Sequence, residues 1–198
     1  MPNHSQVASV TPSAATTGLS TWLNQGSATV TDSAVGVSID SPSSGASTDS
    51  VKARYKTAPS TPYTITTLIA ATRNSTTFSG VGIGWYDGTN KLHVINYDIN
   101  NGGSPRLEVQ KWTNPTTWSA NDLTSQTNAF AQPIWLQIKD DGTNASFGFS
   151  QDGANFLQLF SVAKSSGHLG ASGYTNVIFF VNPRGGQTIG TLMSWTQS

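Results

Sequence analysis

The feature that most constrains the fold is a turn written three times. Asp87-Gly88-Thr89-Asn90, Asp141-Gly142-Thr143-Asn144 and Asp152-Gly153-Ala154-Asn155 each sit between short runs of aromatic and β-branched residues. Asp-Gly supplies the positive φ values of a type I′ hairpin turn, whose twist matches that of the strands it joins. The three sites therefore predict hairpin tips, and the segments between them predict antiparallel strands.

The strand signals run almost without interruption. Val35, Val37 and Ile39 alternate with small residues, and Val51, Ala53 and Tyr55 alternate with Lys52, Arg54 and Lys56, which read as a solvated strand face. Tyr63, Ile65, Thr67 and Ile69 share one face of a strand after Pro62. Gly80, Gly82 and Gly84 alternate with Val81, Ile83 and Trp85, leaving room for a close approach by another layer. Further strands are predicted over Lys91–Tyr97, Arg106–Trp112, Ile134–Lys139, Phe147–Phe149, Phe156–Phe160 and Ile189–Trp195. The unbroken apolar run Val177–Val181 predicts a central strand buried on both faces. About a dozen strands at this spacing predict an all-β, two-sheet antiparallel sandwich. The segment 113–132 lacks alternation and reads as the longest irregular stretch.

Two regions are expected. Residues 1–26 form a polar N-terminal arm without Lys, Arg, Asp or Glu, and Trp22 and Leu23 anchor its root. Such an arm is held either by another chain or by packing on its own domain. Residues 27–198 form a single sandwich domain.

Composition narrows the partners. Only 10% of residues are charged, and net charge is zero. Polarity comes instead from 26 serines and 26 threonines, while six Trp, five Tyr and eight Phe provide core area. The ten Lys and Arg are scattered, so no nucleic-acid partner is expected. No apolar run approaches the ~20 residues that span a bilayer, so no membrane partner is expected. The N-terminus carries neither a basic n-region nor an apolar h-region, so no secretory signal is expected. Without cysteine, disulfides and thiolate metal sites are excluded.

Three stretches resemble a known fold family. Trp22-Leu23-Asn24-Gln25-Gly26 with Ala28-Thr29 looks like an opening strand, and Pro62-Tyr63-Thr64-Ile65-Thr66 like the strand after the first long hairpin. Trp135-Leu136-Gln137-Ile138, Asp141-Gly142, Phe147-Gly148-Phe149-Ser150, Asp152-Gly153 and Phe156 follow in order. Together they are similar to the concanavalin A-like, or laminin G-like, jelly rolls of bacteriophage virion proteins and bacterial carbohydrate-binding modules. The resemblance covers roughly residues 20–198. It implies a jelly-roll fold and carries no shared catalytic residue. Low charge, Ser/Thr richness and the polar arm point to the phage branch.

Catalytic motifs are weak. Glycoside hydrolysis needs two carboxylates about 5–9.5 Å apart. Glu108 is the single glutamate, flanked by Leu107 and Val109 with no acid two positions away; Asp87 and Asp98, on neighbouring strands, could pair in principle but read as solvated strand ends. His93 and His168 lack a nucleophile elbow and read as structural or exposed. Asp140, Asp141 and Asn144, or Asp87 and Asn90, offer hard oxygen ligands for calcium, but turn geometry fully explains them. Trp112 and Trp118 flank Asn114 and Pro115 and form a candidate sugar-stacking platform, which requires both rings to be at least partly exposed.

The expectation is a non-enzymatic virion structural protein on the phage particle surface, a capsid decoration, fibre or tail component. Its partners would be other virion proteins, copies of itself and surface glycans; no cofactor or metal is expected. The alternative is a carbohydrate-binding module, with Trp112, Trp118 and Asn114 as its site.

Overall fold

The computed structural model describes residues 12–45, 47–74, 77–123, 127–128 and 132–198. Residues 1–11 of the expected arm lie outside this set. All described strand pairings are antiparallel, and they build two stacked sheets. Sheet A runs β1 (Thr21–Leu23), β4 (Lys52–Thr57), β14 (Asn176–Asn182), β6 (Gly80–Tyr86), β7 (Leu92–Ile99) and β8 (Pro105–Asn114). The edge of β8 away from β7 pairs with β9 (Thr117–Asn121) and β10 (Thr127–Asn128). Sheet B runs β13 (Leu157–Ala163), β12 (Asn144–Ser150), β11 (Ile134–Asp140), β5 (Tyr63–Asn74), β15 (Thr188–Gln197), β3 (Gly36–Ser41) and β2 (Thr29–Ser33). The all-β sandwich expected from strand alternation is the observed architecture.

The turns differ in detail from expectation. Gly88, Gly142 and Gly153 have positive φ, but their preceding aspartates do not, so none forms a type I′ turn. Each aspartate instead gathers backbone donors. Asp87 Oδ1 accepts from the amides of Thr89, Asn90 and Lys91 at 2.7–3.0 Å, and Asp141 Oδ1 accepts from Thr143 and Asn144. Asp152 Oδ1 does the same for Ala154 and Asn155. These bonds stabilise the ionised form and hold the Asp141 and Asp152 carboxyls below the usual range. The Oδ1 atoms of Asp87, Asp140 and Asp141, among the oxygens proposed as calcium ligands, are thus engaged by their own turns, and Asp140 Oδ2 accepts from Lys164.

Between the sheets lies one apolar layer including Ile39, Ile65, Ile83, Trp85, Leu136, Phe147 and Phe179. The Trp85 indole donates to the Tyr63 hydroxyl at 2.7 Å, bridging β6 and β5 across that layer. Burial pushes the Tyr63 hydroxyl well above its ordinary pKa, and the indole bond offsets only part of that rise.

Sheet A is also buried on its outer face. Val51, Ala53, Leu92, Val94, Ile178 and Phe180 form a second apolar cluster there with Trp112. The cover comes from the β8–β9 hairpin. Register shifts at Lys111/Trp112 and Trp112/Asn114 bend it, as bulges do. Its tip then reaches over the sheet, where the Val51 amide donates to Pro115 O at 2.7 Å. β4 and β8 are four strand spacings apart, about 19 Å in a flat sheet. That bond is therefore made above the outer face and not within the sheet. The stretch expected to be irregular, 113–132, contains β9 and β10 instead; its alternation is hidden because β9 is an exposed edge strand.

The described part of the arm packs on its own domain. Ser13 caps the short helix α1 (Ala14–Thr17), the Ala14 amide donates to Asp32, and Leu19 O accepts from Arg54 Nε. Trp22 pairs with Arg54 in register and lies under its guanidinium, while Leu23 joins the outer apolar cluster. The alternating cations are accordingly not a free solvated face: Arg54 holds the arm, and Lys56 reaches Gln197 and the Trp195 ring.

The glycine strand fits as expected. A Cβ on Gly82 would lie 2.0 Å from Ile95 O and 2.8 Å from the Phe180 ring. Gly82→Ala is expected to cost about 1–3 kcal/mol or more in urea unfolding; an unchanged midpoint would contradict this packing.

Candidate functional site

β8 carries the site. Leu107 and Val109 face the core between the sheets, while Arg106, Glu108, Gln110 and Trp112 occupy alternate positions on the outer face. They line a cavity of about 430 Å³, completed by Trp118 and Asn121 of β9, Asn182 at the end of β14, and the loop residues Asp49, Phe78 and Arg184. The polar side chains of β8 are buried: Glu108 is 1% exposed, Arg106 and Gln110 6%.

Buried polar groups must be paired, and here they form one network. Arg106 Nε donates to Asp98 Oδ1 at 2.7 Å and Nη1 to Glu108 Oε1 at 3.0 Å. Glu108 also accepts from Gln110 at 2.7 Å and from Asn121 at 2.6 Å. Trp112 Nε1 donates to Gln110 Oε1, and Trp118 Nε1 to Asn121 Oδ1, both at 3.2 Å. On the opposite wall, Asn182 accepts from the Ser50 amide and donates to Asp49, each at 3.0 Å. Arg184 lies 3.6 Å from the same Asp49 carboxylate. Asn96, across from Glu108 in register, has a buried Oδ1 with no partner among the described residues. It lies over Gly80, where even a Cβ would come within 2.2 Å.

Phe78 shares the wall. Both guanidiniums lie over its ring, Arg184 at 4.8 Å and Arg106 at 5.4 Å. Its φ is +64°, a conformation costing a bulky residue of order 1–3 kcal/mol. Such strain persists only where the surroundings impose it, here through the guanidinium contacts and the Phe78 amide bond to Ile99 O.

Asp98 is not a solvated strand end, and it does not pair with Asp87. It is 1% exposed. Burial pushes its carboxyl up to about 7; Arg106 holds it down, and neighbouring Glu108 raises it again. The unfolded chain releases this proton near pH 4. Between about pH 4 and 7 the folded state therefore holds a proton that the unfolded state has lost, and this contribution falls as pH rises. In thermal melts from pH 4.5 to 8, Asp98→Asn should make the difference between wild type and variant shrink with rising pH. A difference independent of pH would contradict the assignment.

Behind the cavity wall, Asp122 follows Asn121 and bonds to Lys111, with His93 Nε2 at 2.9 Å. Burial lowers the His93 pKa. The Asp122 carboxyl is opposed by burial, yet His93 and Lys111 pull it below its ordinary range. His168 Nε2 lies 2.9 Å from Trp112 O. Both histidines thus brace the back of the site.

Of the residues proposed from sequence, the structure brings Trp112 and Trp118 together as a cross-strand pair. Trp112 is 1% exposed, which corrects the expectation of an exposed ring; the bent hairpin covers it. Trp118 is 46% exposed at the cavity. Asn114 does not line the cavity; its Oδ1 accepts from the Thr116 amide and hydroxyl at 2.9 Å, closing the turn. Arg106, Glu108, Gln110 and Asn121 were missed. Their signal was a strand with every second position polar in a chain with so few charges.

No protein-family model matches the chain, and no curated protein matches its sequence. Solved structures do match in shape. A functionally unknown protein from Saccharomyces cerevisiae is 16% identical, with 91% of this chain and 97% of that one covered and a TM-score of 0.63. The GH43 protein BlXynB from Bacillus licheniformis, as its K247S mutant, is 14% identical over 81% of this chain, with a TM-score of 0.59. The chain spans about a third of that protein, 32% of its length. The exoplasmic/lumenal domain of VIP36, in a Ca2+/Man3GlcNAc-bound form, is 8% identical over 90% of this chain and 82% of its own, with a TM-score of 0.53. These likenesses establish the fold alone, a two-sheet antiparallel jelly-roll sandwich.

Proposed function

We propose that this chain is a carbohydrate-binding domain and that the cavity over β8 and β9 is its site. The observation that carries this reading is the run Arg106–Glu108–Asn121–Trp118, in which hydrogen bonds lock each polar group and end on an exposed indole. A pyranose presents hydroxyls that both donate and accept around an apolar C–H face. Fixed carboxylate, amide and guanidinium groups suit the hydroxyls, and an aromatic ring suits the face. Because the groups are already held, little ordering opposes binding. A shape shared with a glycan-bound domain supports the reading.

Binding is favoured over hydrolysis by the carboxyl geometry. Asp98 and Glu108 are held side by side by one guanidinium, Arg106. A hydrolytic pair stands about 5–9.5 Å apart with the sugar between. Both Glu108 oxygens are also already accepting protein donors. The virion role and particle-surface location rest on the family resemblance, the low-charge composition and the polar arm; the glycan-binding alternative also has the site geometry behind it.

Screening the protein on a glycan array, followed by calorimetry on the strongest ligand, tests the proposal. Trp118→Ala should weaken binding by roughly 1–2 kcal/mol, about 5–30-fold, with an unchanged melting curve. Full-strength binding by Trp118→Ala, or an array without hits, would contradict it.

A further inference from the structure

We infer that the cavity takes the end of a neutral glycan chain and not a stretch within one; this rests on the carbohydrate-binding reading above. The two walls meet at one end. Asp49 meets Arg184, Arg184 and Arg106 both cover Phe78, and Arg106 meets Glu108. Glu108 meets Asn121, and Asn121 meets Trp118. The hairpin then runs from Trp118 through Pro115 to the Val51 amide, two residues from Asp49. The loop wall and the hairpin wall are thus tied through the floor residues Arg106 and Glu108 and, at one end, by the Val51–Pro115 bond. An open groove would leave two opposite gaps for a polymer to enter and leave. The Val51–Pro115 bridge spans one such gap, so a chain entering opposite it cannot run through. A pit of this kind admits a terminus.

Charge defines the class of terminus. The circuit contains two guanidiniums and two carboxylates, with Asp98 beneath. Arg184 faces Asp49, and Arg106 faces both Asp98 and Glu108. A carboxylated or sulfated sugar would enter among these carboxylates with each guanidinium already opposed, whereas hydroxyls bridge both signs.

The wild-type protein tests this without any variant. Linear hexasaccharides of glucose, mannose, galactose and xylose are titrated calorimetrically beside their own polymers, together with hexasaccharides ending in a uronic acid. For the sugar that binds, affinity per chain end should be equal for hexamer and polymer. The uronate-ended chain should bind at least about tenfold more weakly, a loss of ~1.4 kcal/mol. Affinity per chain end that rises with the number of internal units would overturn end recognition and leave carbohydrate binding intact. Equal or tighter binding of the uronate end would overturn neutrality. Failure of every array glycan and every oligosaccharide to bind would overturn the binding reading and this inference with it.

Discussion

The Arg106 guanidinium is the interaction on which the outer face of sheet A depends. It is 6% exposed and stands between two carboxyls that are each 1% exposed. Burying such acids unpaired would be prohibitive, and removing one partner of a buried charge cluster typically costs about 3–5 kcal/mol. Arg106 bonds to both, and Glu108 in turn orients Gln110 and Asn121, which orient the two indoles of the cavity. The same cation covers Phe78 and so links the β8 floor to the loop wall. Position, charge balance and rigidity of the site trace to one side chain.

A second constraint is geometric. Each sheet of a sandwich needs one apolar face, and sheet A has two. The bent β8–β9 hairpin resolves this by folding its Pro115 tip towards Val51, covering the outer apolar cluster. Covering the cluster and walling the cavity are therefore one structural act. The glycine strand contributes from below: without side chains at Gly80 and Gly82, Asn96 and Phe180 settle directly on the sheet. The cavity floor is consequently strand backbone and strand side chains, a more exact platform than loops alone.

Much of the fold was legible in the sequence because strand alternation and turn chemistry are local. Val177–Val181 announced a strand buried on both faces, and Gly80, Gly82 and Gly84 announced a close approach; both are as observed. The turn type was misread because an aspartate that gathers three amides can do so without positive φ, and Asp-Gly looks the same in either case. The site was half legible. Trp112 and Trp118 lie close in sequence, so their pairing could be suspected. Asp98 reaches Arg106 across one hairpin, yet as a strand-end residue it read as solvated, because nothing local shows that a roof lies above it. Asp49, Phe78, Asn182 and Arg184 come from three loops and strand ends far apart in the chain, and only the folded sheet order brings them together.

The central claim is that a sugar occupies the outer face of sheet A beside the β8–β9 hairpin. The six tryptophans are natural reporters of its position, since each carries one indole N–H. An 15N-labelled sample titrated with the best-binding neutral oligosaccharide reads all of them at once. Saturable shifts of the Trp118 and Trp112 indole signals are expected, with those of Trp85 in the core and Trp135 and Trp195 on sheet B unmoved. Shifts confined to Trp135 or Trp195, with Trp118 and Trp112 unmoved, would place the ligand elsewhere and contradict the account.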